Sequence, residues 1–263
     1  MIKMVVSDMD GTLLHDDKTL NSNIYKYVDY FINNNIKFVL ASGRQIYNLE
    51  SYFLDYLQDI AFIGENGGNL KDNNKTIYTN YISKTDCLDI LKQIEGINTF
   101  DAILCANDSA YISNNDPKLL EEVKRYYSKV KLVNDLKDLD VDVFKIAIHD
   151  NIDASTNSNS IIELHSSNLI KCVSAKEYLD IMPSNTNKGA ALKMLCNKYS
   201  IKEDEILCFG DYLNDIEMLS CAKYSYALAN SVNEVKEVAN YLTSSNNDDG
   251  VLKVISEYFN INE

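Results

Sequence analysis

Proline and glycine are both scarce in this chain, which has two prolines and nine glycines among 263 residues. Long disordered linkers are usually rich in these residues, so the composition argues against them. No apolar run approaches the roughly 20 residues that a membrane-spanning helix needs, and no signal peptide precedes the first predicted strand. These absences predict a globular protein of one or two domains without a membrane segment.

Positive charge is also in short supply, with 25 Lys and Arg against 39 Asp and Glu and a net charge of −14. A chain this acidic is a poor candidate for binding nucleic acid or an anionic membrane surface. A phosphorylated small molecule stays possible as a partner, provided that a cation and a few local donors sit in its site.

The cysteines and histidines lack the spacings that mark common sites. No Cys-x-x-Cys pair occurs, so neither a zinc knuckle nor a redox pair is indicated. The three histidines have no ligand spacing and no Gly-x-Ser-x-Gly occurs, which argues against zinc and serine-hydrolase sites. Several cysteines lie in apolar runs, which predicts buried free thiols in a reducing, cytoplasmic compartment. The cysteines are Cys87, Cys105, Cys172, Cys196, Cys208 and Cys221.

The stretch Ser7–Leu14 organises the rest of the chain. It follows the apolar run Met4–Val6, which predicts a buried strand, and it contains Asp8 and Asp10 just before Gly11. Residues two apart in a strand face the same side, so both carboxylates are expected to face one site. In open parallel α/β sheets, ligands bind beyond the carboxyl ends of the strands.

Strands and helices alternate through the first 64 residues. Apolar runs predict strands at Lys3–Asp8, Ile36–Ala41 and Ile60–Gly64, and helical spacing predicts helices at Asn21–Asn35 and Gln45–Asp55. The strands do not alternate polar with apolar residues, as expected when helices cover both faces of a sheet. The pattern predicts a doubly wound parallel sheet.

The middle of the chain has a different pattern. Two helix–strand–strand groups, with helices predicted at Ser83–Glu95 and Ala154–Ser166, indicate an inserted α/β domain over residues 81–186. The core then comprises residues 1–80 and 187–263. Its second part is predicted to hold a helix at Lys188–Lys198, a strand at Ile206–Gly210, a helix at Asp215–Ala222, a capping box at Ser231–Glu234 and a last helix at Val251–Phe259.

Further polar groups fall at strand or helix ends. Ser42-Gly43-Arg44 follows the second strand, Lys188 begins a predicted helix, and Asp211, Asn214 and Asp215 follow the strand that ends at Gly210. Together with Asp8 and Asp10 they offer four carboxylates, one hydroxyl, one ammonium and one amide.

Four motifs in this order resemble those of the haloacid dehalogenase superfamily of phosphotransfer enzymes, in its Cof-like hydrolase branch. They are Asp8–Leu14, Ala41–Arg44, Asn187–Leu192 and Gly210–Leu219, and Gly64–Gly68 and Asn247–Val251 also resemble that branch. One departure is Ala227–Ser231, where the branch usually has a Gly-Asn pair after Met; it concerns a peripheral loop. The resemblance covers the core from end to end.

The resemblance implies roles for the two aspartates of the first motif. Asp8 is implied as the nucleophile that attacks phosphorus and becomes an aspartyl-phosphate. The side chain of Asp10 is implied to protonate the leaving oxygen and later to deprotonate water. Crowded carboxylates favour a raised pKa on one of them, which would suit Asp10.

A cation is needed because a carboxylate approaching a phosphate dianion is repelled by roughly 8 kcal/mol, about 4 for each unit charge at ~4 Å and an effective dielectric near 20. Mg²⁺ suits an all-oxygen site. The resemblance implies Asp8, Asp211 and the backbone carbonyl of Asp10 as its ligands. Asp215 would act behind these ligands or through a water molecule.

The same resemblance assigns the phosphate contacts. Ser42 and Lys188 would hold the phosphoryl oxygens, with Gly43 in the same loop. Asn214 would orient the site, and Asn66 is a further candidate.

Taken singly, these motifs have plainer interpretations. Asp8 could open a calcium loop, but such a loop needs Gly at its sixth position and Glu at its twelfth, where this chain has Leu13 and Thr19. Lys188 alone would be a solvated helix-end lysine, and Ser42 alone a turn hydroxyl. The cluster Gly64–Gly68 lacks the Gly-Lys-Ser/Thr of a nucleotide P-loop.

The sequence therefore predicts a Mg²⁺-dependent phosphatase acting on small phosphorylated metabolites such as sugar phosphates. A phosphomutase of the same fold stays open. A non-catalytic sensor of phosphorylated ligands also stays open, although it would be expected to have lost a catalytic group. The resemblance implies that the inserted domain covers the strand ends and selects the leaving group. Neither the substrate nor the oligomeric state can be read from the sequence.

Overall fold

The computed structural model describes residues 1–261 and divides into two compact units. One contains Met1–Tyr78 and the chain from Asn187 onwards, and the other contains Thr79–Thr186. The first boundary between the units, after Tyr78, lies two residues before the boundary at residue 80 that was drawn from the sequence. The second boundary, after Thr186, lies at the residue drawn from the sequence. No helix in the described residues is both long enough and apolar enough to cross a membrane.

The elements are numbered along the whole chain. The strands are β1 (Met4–Asp8), β2 (Lys37–Ala41), β3 (Ala61–Gly64), β4 (Asn69–Asp72), β5 (Lys75–Thr79), β6 (Phe100–Ala106), β7 (Ala110–Ile112), β8 (Val130–Leu132), β9 (Val143–Asp150), β10 (Leu169–Ala175), β11 (Tyr178–Pro183), β12 (Ile206–Gly210), β13 (Tyr224–Leu228) and β14 (Tyr241–Thr243). The α-helices are α1 (Asn23–Asn33), α2 (Ile46–Glu50), α3 (Lys84–Gln93), α4 (Pro117–Tyr126), α5 (Ser158–Ile161), α6 (Lys188–Tyr199), α7 (Ile216–Leu219), α8 (Asn233–Val238) and α9 (Gly250–Phe259).

The first unit is built on one eight-stranded sheet with the order β14-β13-β12-β1-β2-β3-β4-β5. The strands from β14 to β3 run parallel, and β4 pairs antiparallel with β3. Successive residues of β1 point to opposite faces, so Val5 packs with α1 and α9 while Val6 packs with α6 and α7. Helices cover both faces of the sheet, and the predicted doubly wound α/β core is confirmed.

The second unit contains a six-stranded sheet with the order β10-β11-β9-β6-β7-β8. Its strands pair antiparallel except for β7 and β8, which run parallel. Helix α3 lies with one apolar cluster of this unit and α4 with another. The unit is therefore an α/β domain inserted within the chain of the first.

The helix predicted over Ala154–Ser166 is wrong for most of its length, since only Ser158–Ile161 is helical. Side-chain acceptors compete for the backbone here. The Asp150 carboxylate accepts from the N–H groups of Ile152 and Ser158, and Asp153 accepts from the N–H of Ser155. Such local bonds favour turns over a helix.

Four smaller expectations also differ. The helix predicted over Gln45–Asp55 ends at Glu50 and is followed by a 3₁₀ turn, and the one over Asp215–Ala222 shortens to Ile216–Leu219 after a 3₁₀ turn. The predicted capping box is absent, because α8 begins after Val232 and the Ser231 hydroxyl instead donates to the carbonyl of Gly210. No strand was predicted at β14, whose residues are mostly exposed.

Candidate active site

The parallel strands deliver the candidate residues to one edge of the first unit's sheet. Asp8 is the last residue of β1 and pairs in register with Ala41 at the end of β2. On its other side β1 pairs with β12, which ends at Gly210. The loops that carry Asp10, Ser42 and Asp211 therefore leave the sheet side by side.

Three carboxylates meet at this edge. Asp8, Asp211 and Asp215 each present one oxygen within 4.8 Å of the others. Asp8 and Asp215 are buried and Asp211 is partly buried. Residues more than 200 positions apart in the chain thus form one acidic cluster.

Lys188 balances part of this charge from the first position of α6. The side chain of Asn187 caps the helix by accepting from the N–H of Ala190, which fixes where α6 begins. The Lys188 Nζ donates to Asp8 Oδ1 at 2.5 Å and to Asp215 Oδ1 at 2.6 Å, and the residue is only 1% exposed. Burial alone would lower the pKa of Lys188, but the two carboxylates outweigh it and raise that pKa, so the group stays an ammonium.

Asp215 organises the loop that carries Asp211. Its Oδ2 accepts from the backbone N–H groups of Asp211 and Tyr212, at 2.9 and 3.1 Å, while its Oδ1 accepts from Lys188. Both oxygens of this buried carboxylate are already engaged. Asp215 is therefore better placed to orient Asp211 and Lys188 than to serve as a free ligand.

Asp211 is held against the glycine turn of the first motif. The Thr12 hydroxyl donates to Asp211 Oδ1 at 2.7 Å. Gly11 has φ +77°, and a Cβ at that position would lie 2.4 Å from Asp211 Oδ2. The turn needs glycine both for its left-handed backbone and for this close approach. Burial raises the pKa of Asp211 to about 6, with Asp215 adding to the effect and the Thr12 bond opposing it.

The cluster fits a divalent cation by charge and by chemistry. Three carboxylates and one ammonium leave a net charge of −2 when all are ionised. Burial raises the pKa of Asp8 well above its ordinary value, and the neighbouring carboxylates add to this despite Lys188. Hard oxygen donors are the ligands that Mg²⁺ prefers. The residues present therefore fit Mg²⁺, with Asp8 and Asp211 offering the carboxylate oxygens.

The Asp10 side chain is paired with Arg44 and is not one of the three carboxylates of this cluster. Arg44 donates through Nε to Asp10 Oδ2 and through Nη2 to Asp10 Oδ1, both at 2.6 Å, and Lys18 donates to Oδ1 at 2.9 Å. Burial raises the pKa of Asp10, but the bonds and charges of Arg44 and Lys18 outweigh it and lower that pKa. A raised pKa would have suited Asp10 as a general acid, but the raised values fall on Asp8 and Asp211.

The remaining candidates lie near Arg44 and are linked to one another by hydrogen bonds or close contacts. Asn66, with φ +54°, accepts at Oδ1 from Asn214 Nδ2 at 2.9 Å, and a Cβ on Gly43 would lie 3.0 Å from the same oxygen. The Asn66 N–H donates to the carbonyl of Ser42, and the buried Ser42 hydroxyl oxygen accepts from the N–H of Arg44. Asn66 and Asn214 thus tie the Ser42 loop to the loop of Asp211.

Thr12, Arg44 and Lys18 are site residues for which no role was predicted from the sequence. Thr12 and Arg44 lie inside the motifs listed above. An arginine two residues after Ser42 could have indicated a positively charged partner for the Asp10 carboxylate. Nothing in the sequence singled out Lys18.

Comparison with known proteins bears on this site. A family model described as haloacid dehalogenase-like hydrolase matches residues 5–255. The chain belongs to this family.

Individual relatives match over almost the whole length. A phosphatase of Escherichia coli K12 named for 5-amino-6-(5-phospho-D-ribitylamino)uracil is 29% identical and covers 97% of this chain and 96% of its own. A Bacillus subtilis 168 phosphatase of the same name is 24% identical, with 98% of each chain covered. The crystal structure of a Streptococcus mutans UA159 protein has a TM-score of 0.91 at 30% identity, and covers 99% of this chain and 100% of its own.

These matches confirm the predicted family, the α/β fold class and a hydrolase of the phosphatase type. The roles of individual residues and the identity of the metal stay predictions.

Proposed function

We propose that the protein is a Mg²⁺-dependent phosphatase that hydrolyses small phosphomonoesters through an aspartyl-phosphate on Asp8. The observation that carries the proposal is the buried cluster of Asp8, Asp211 and Asp215 around Lys188, with its net charge of −2. When bound, Mg²⁺ supplies the positive charge that lets a carboxylate approach a phosphate dianion.

In the first half-reaction an Asp8 oxygen bonds to phosphorus while the bond from phosphorus to the ester oxygen breaks. Lys188 and Ser42 hold phosphoryl oxygens, Lys188 as a point charge that is already in contact with Asp8. The leaving oxygen takes a proton from the Asp10 carboxyl and departs as an alcohol, so Asp10 must be protonated when the substrate binds, although Arg44 and Lys18 lower its pKa in the arrangement described above.

In the second half-reaction a water oxygen bonds to phosphorus and the bond from phosphorus to Asp8 breaks. The electron pair returns to the Asp8 carboxylate, and inorganic phosphate leaves. The Asp10 carboxylate takes the proton of the water. The pair with Arg44 keeps Asp10 ionised in the arrangement described above, which is the form that this step requires.

Two finer proposals concern the substrate and the second unit. The names of the bacterial relatives point to a phosphate carried on a ribityl chain, so polyol and sugar phosphates are the first substrates to test. We assign the choice of leaving group to the unit Thr79–Thr186, which contributes none of the acidic cluster. The cytoplasmic location stays a prediction.

A screen of phosphomonoesters with the purified protein tests the proposal. We expect phosphate release with Mg²⁺, none with excess EDTA, and none from Asp8→Asn, which preserves the shape of the side chain. Substantial turnover by Asp8→Asn would rule out the nucleophile assignment. Product analysis separates a mutase, since an isomerised sugar phosphate without free phosphate would contradict hydrolysis.

A further inference from the structure

We propose that Arg44 is a positioning residue that presents the Asp10 carboxylate to the water of the second half-reaction. This inference rests on the proposed function. The observation behind it is a pair of parallel hydrogen bonds, each 2.6 Å long, from the Arg44 guanidinium to both oxygens of Asp10. In the mechanism above, this contact serves only to keep Asp10 ionised.

The bidentate contact fixes the plane of the carboxylate. A carboxylate offers about four in-plane acceptor positions, two on each oxygen. Arg44 occupies one on each oxygen, and Lys18 occupies the second position on Oδ1. The one position left is on Oδ2. Asp10 can thus take a proton at a single place, and the Arg44 fork decides where that place is.

Arg44 is itself held on both sides. Its backbone N–H donates to the Ser42 hydroxyl oxygen, and its carbonyl accepts from the N–H of Glu65 at 2.9 Å. Its Nη1 donates to the Tyr52 hydroxyl oxygen at 3.3 Å. The guanidinium is therefore anchored to the loop that carries the proposed phosphate ligand Ser42. The short segment Ser42–Arg44 then both positions Asp10 and provides the proposed phosphate ligand.

A competing role for Arg44 is direct contact with the substrate phosphate. The guanidinium has five N–H donors, and three are used by Asp10 and Tyr52. A phosphate role predicts slower formation of the aspartyl-phosphate and a higher KM. With a leaving group that needs no proton, the positioning role predicts slower breakdown of the aspartyl-phosphate and unaltered formation, so the two roles then affect opposite halves of the reaction.

The experiment uses p-nitrophenyl phosphate with Mg²⁺ in a stopped-flow spectrometer. Nitrophenolate leaves without protonation, so formation of the aspartyl-phosphate does not depend on Asp10, whereas its hydrolysis does. For Arg44→Ala we expect a burst near one nitrophenolate per enzyme and a steady rate about 100-fold below that of the unaltered protein, since a positioned base contributes about 10²–10⁴-fold. Asp10→Asn should give the same burst.

Two further variants decide the outcome. Arg125→Ala removes an exposed guanidinium that pairs with Glu121 in the second unit, and we expect a steady rate within about threefold of the unaltered protein and no added burst. Arg44→Lys keeps the positive charge but cannot make two parallel hydrogen bonds, so it should show the same burst as Arg44→Ala. If Arg44→Ala does not fold, Arg44→Lys tests the inference by itself.

A burst no larger than that of the unaltered protein, or unaltered kinetics in Arg44→Lys, would overturn the inference. Inactivity of the unaltered protein would instead contradict the proposed function.

Discussion

Two isosteric substitutions four residues apart should change the stability of the metal-free protein in opposite directions. Asp211→Asn and Asp215→Asn each remove one carboxylate charge from the same cluster. They differ in what the carboxylate does: Asp211 accepts one hydrogen bond, from Thr12, whereas Asp215 accepts from Lys188 and from two backbone N–H groups.

For Asp211 the sign follows from its pKa. Burial raises that pKa to about 6 from 3.8, so the folded state disfavours the ionised form. The destabilisation is absent below about pH 4, grows as the pH rises from about 4 to about 6, and is complete above that. A folded-state pKa about 2 above its ordinary value corresponds to about 3 kcal/mol in the free energy of unfolding, at 1.36 kcal/mol for each pH unit. Partial exposure reduces this figure, so we expect Asp211→Asn to stabilise the metal-free protein by about 1–2 kcal/mol at pH 7.5.

For Asp215 the substitution breaks a buried ion pair from one side. An asparagine can keep an oxygen toward the N–H groups of Asp211 and Tyr212, but its amide then faces the ammonium of Lys188. Removing one partner of a buried pair costs about 3–5 kcal/mol, and bonds to charged groups contribute about 1.5–3 kcal/mol each. We expect Asp215→Asn to destabilise the protein by about 3 kcal/mol.

Urea unfolding followed by far-ultraviolet circular dichroism, in EDTA at pH 7.5 and pH 5, measures both changes. The gain from Asp211→Asn should shrink at pH 5, because the unaltered protein then regains much of its lost stability. Equal destabilisation by the two variants, or a neutral Asp215→Asn, would refute the division into a proposed metal ligand, whose ionised form is disfavoured, and an organising carboxylate.

Two further predictions test other parts of the structure. Gly11→Ala should lower Mg²⁺ affinity at least about tenfold in titration calorimetry, because its Cβ would lie 2.4 Å from a carboxylate oxygen of the acidic cluster; Gly96→Ala, with φ +81° but open space around it, should leave that affinity unchanged. In the second unit, the carboxylates of Asp101 and Glu122, 3.8 and 3.2 Å from the ring nitrogens, raise the pKa of His149 despite its burial. The stabilising effect of the charged imidazole is therefore complete below pH 6.5 and is lost as the pH rises through the raised pKa. His149→Gln should therefore lower the thermal midpoint more at pH 6 than at pH 9, and an equal loss at both would contradict the assigned pKa.

The strand ends could be predicted from the sequence because apolar runs and parallel topology are local signals. Met4–Val6 marks a buried strand, and a parallel sheet brings the end of β1 and the end of β12 to one edge whatever the details of the loops. This is why Asp8 and Asp211 could be expected to lie close together before any coordinates were known.

The distribution of charge within the site could not be predicted in the same way. Whether Asp10 or Asp211 has the raised pKa depends on which loop brings a cation to it, and the reach of Arg44 across to Asp10 is a side-chain contact between two loops. The role of Asp215 depends on backbone N–H groups that a sequence does not orient.

The measurement closest to the central claim is the fate of the phosphoryl group during a single turnover. With a ³²P-labelled phosphomonoester, Mg²⁺ and an acid quench within milliseconds, the label should appear on the peptide that contains Asp8. It should be absent from Asp8→Asn and chased to inorganic phosphate by excess unlabelled substrate. Rapid phosphate release with no labelled protein, or a label on another residue, would contradict the account.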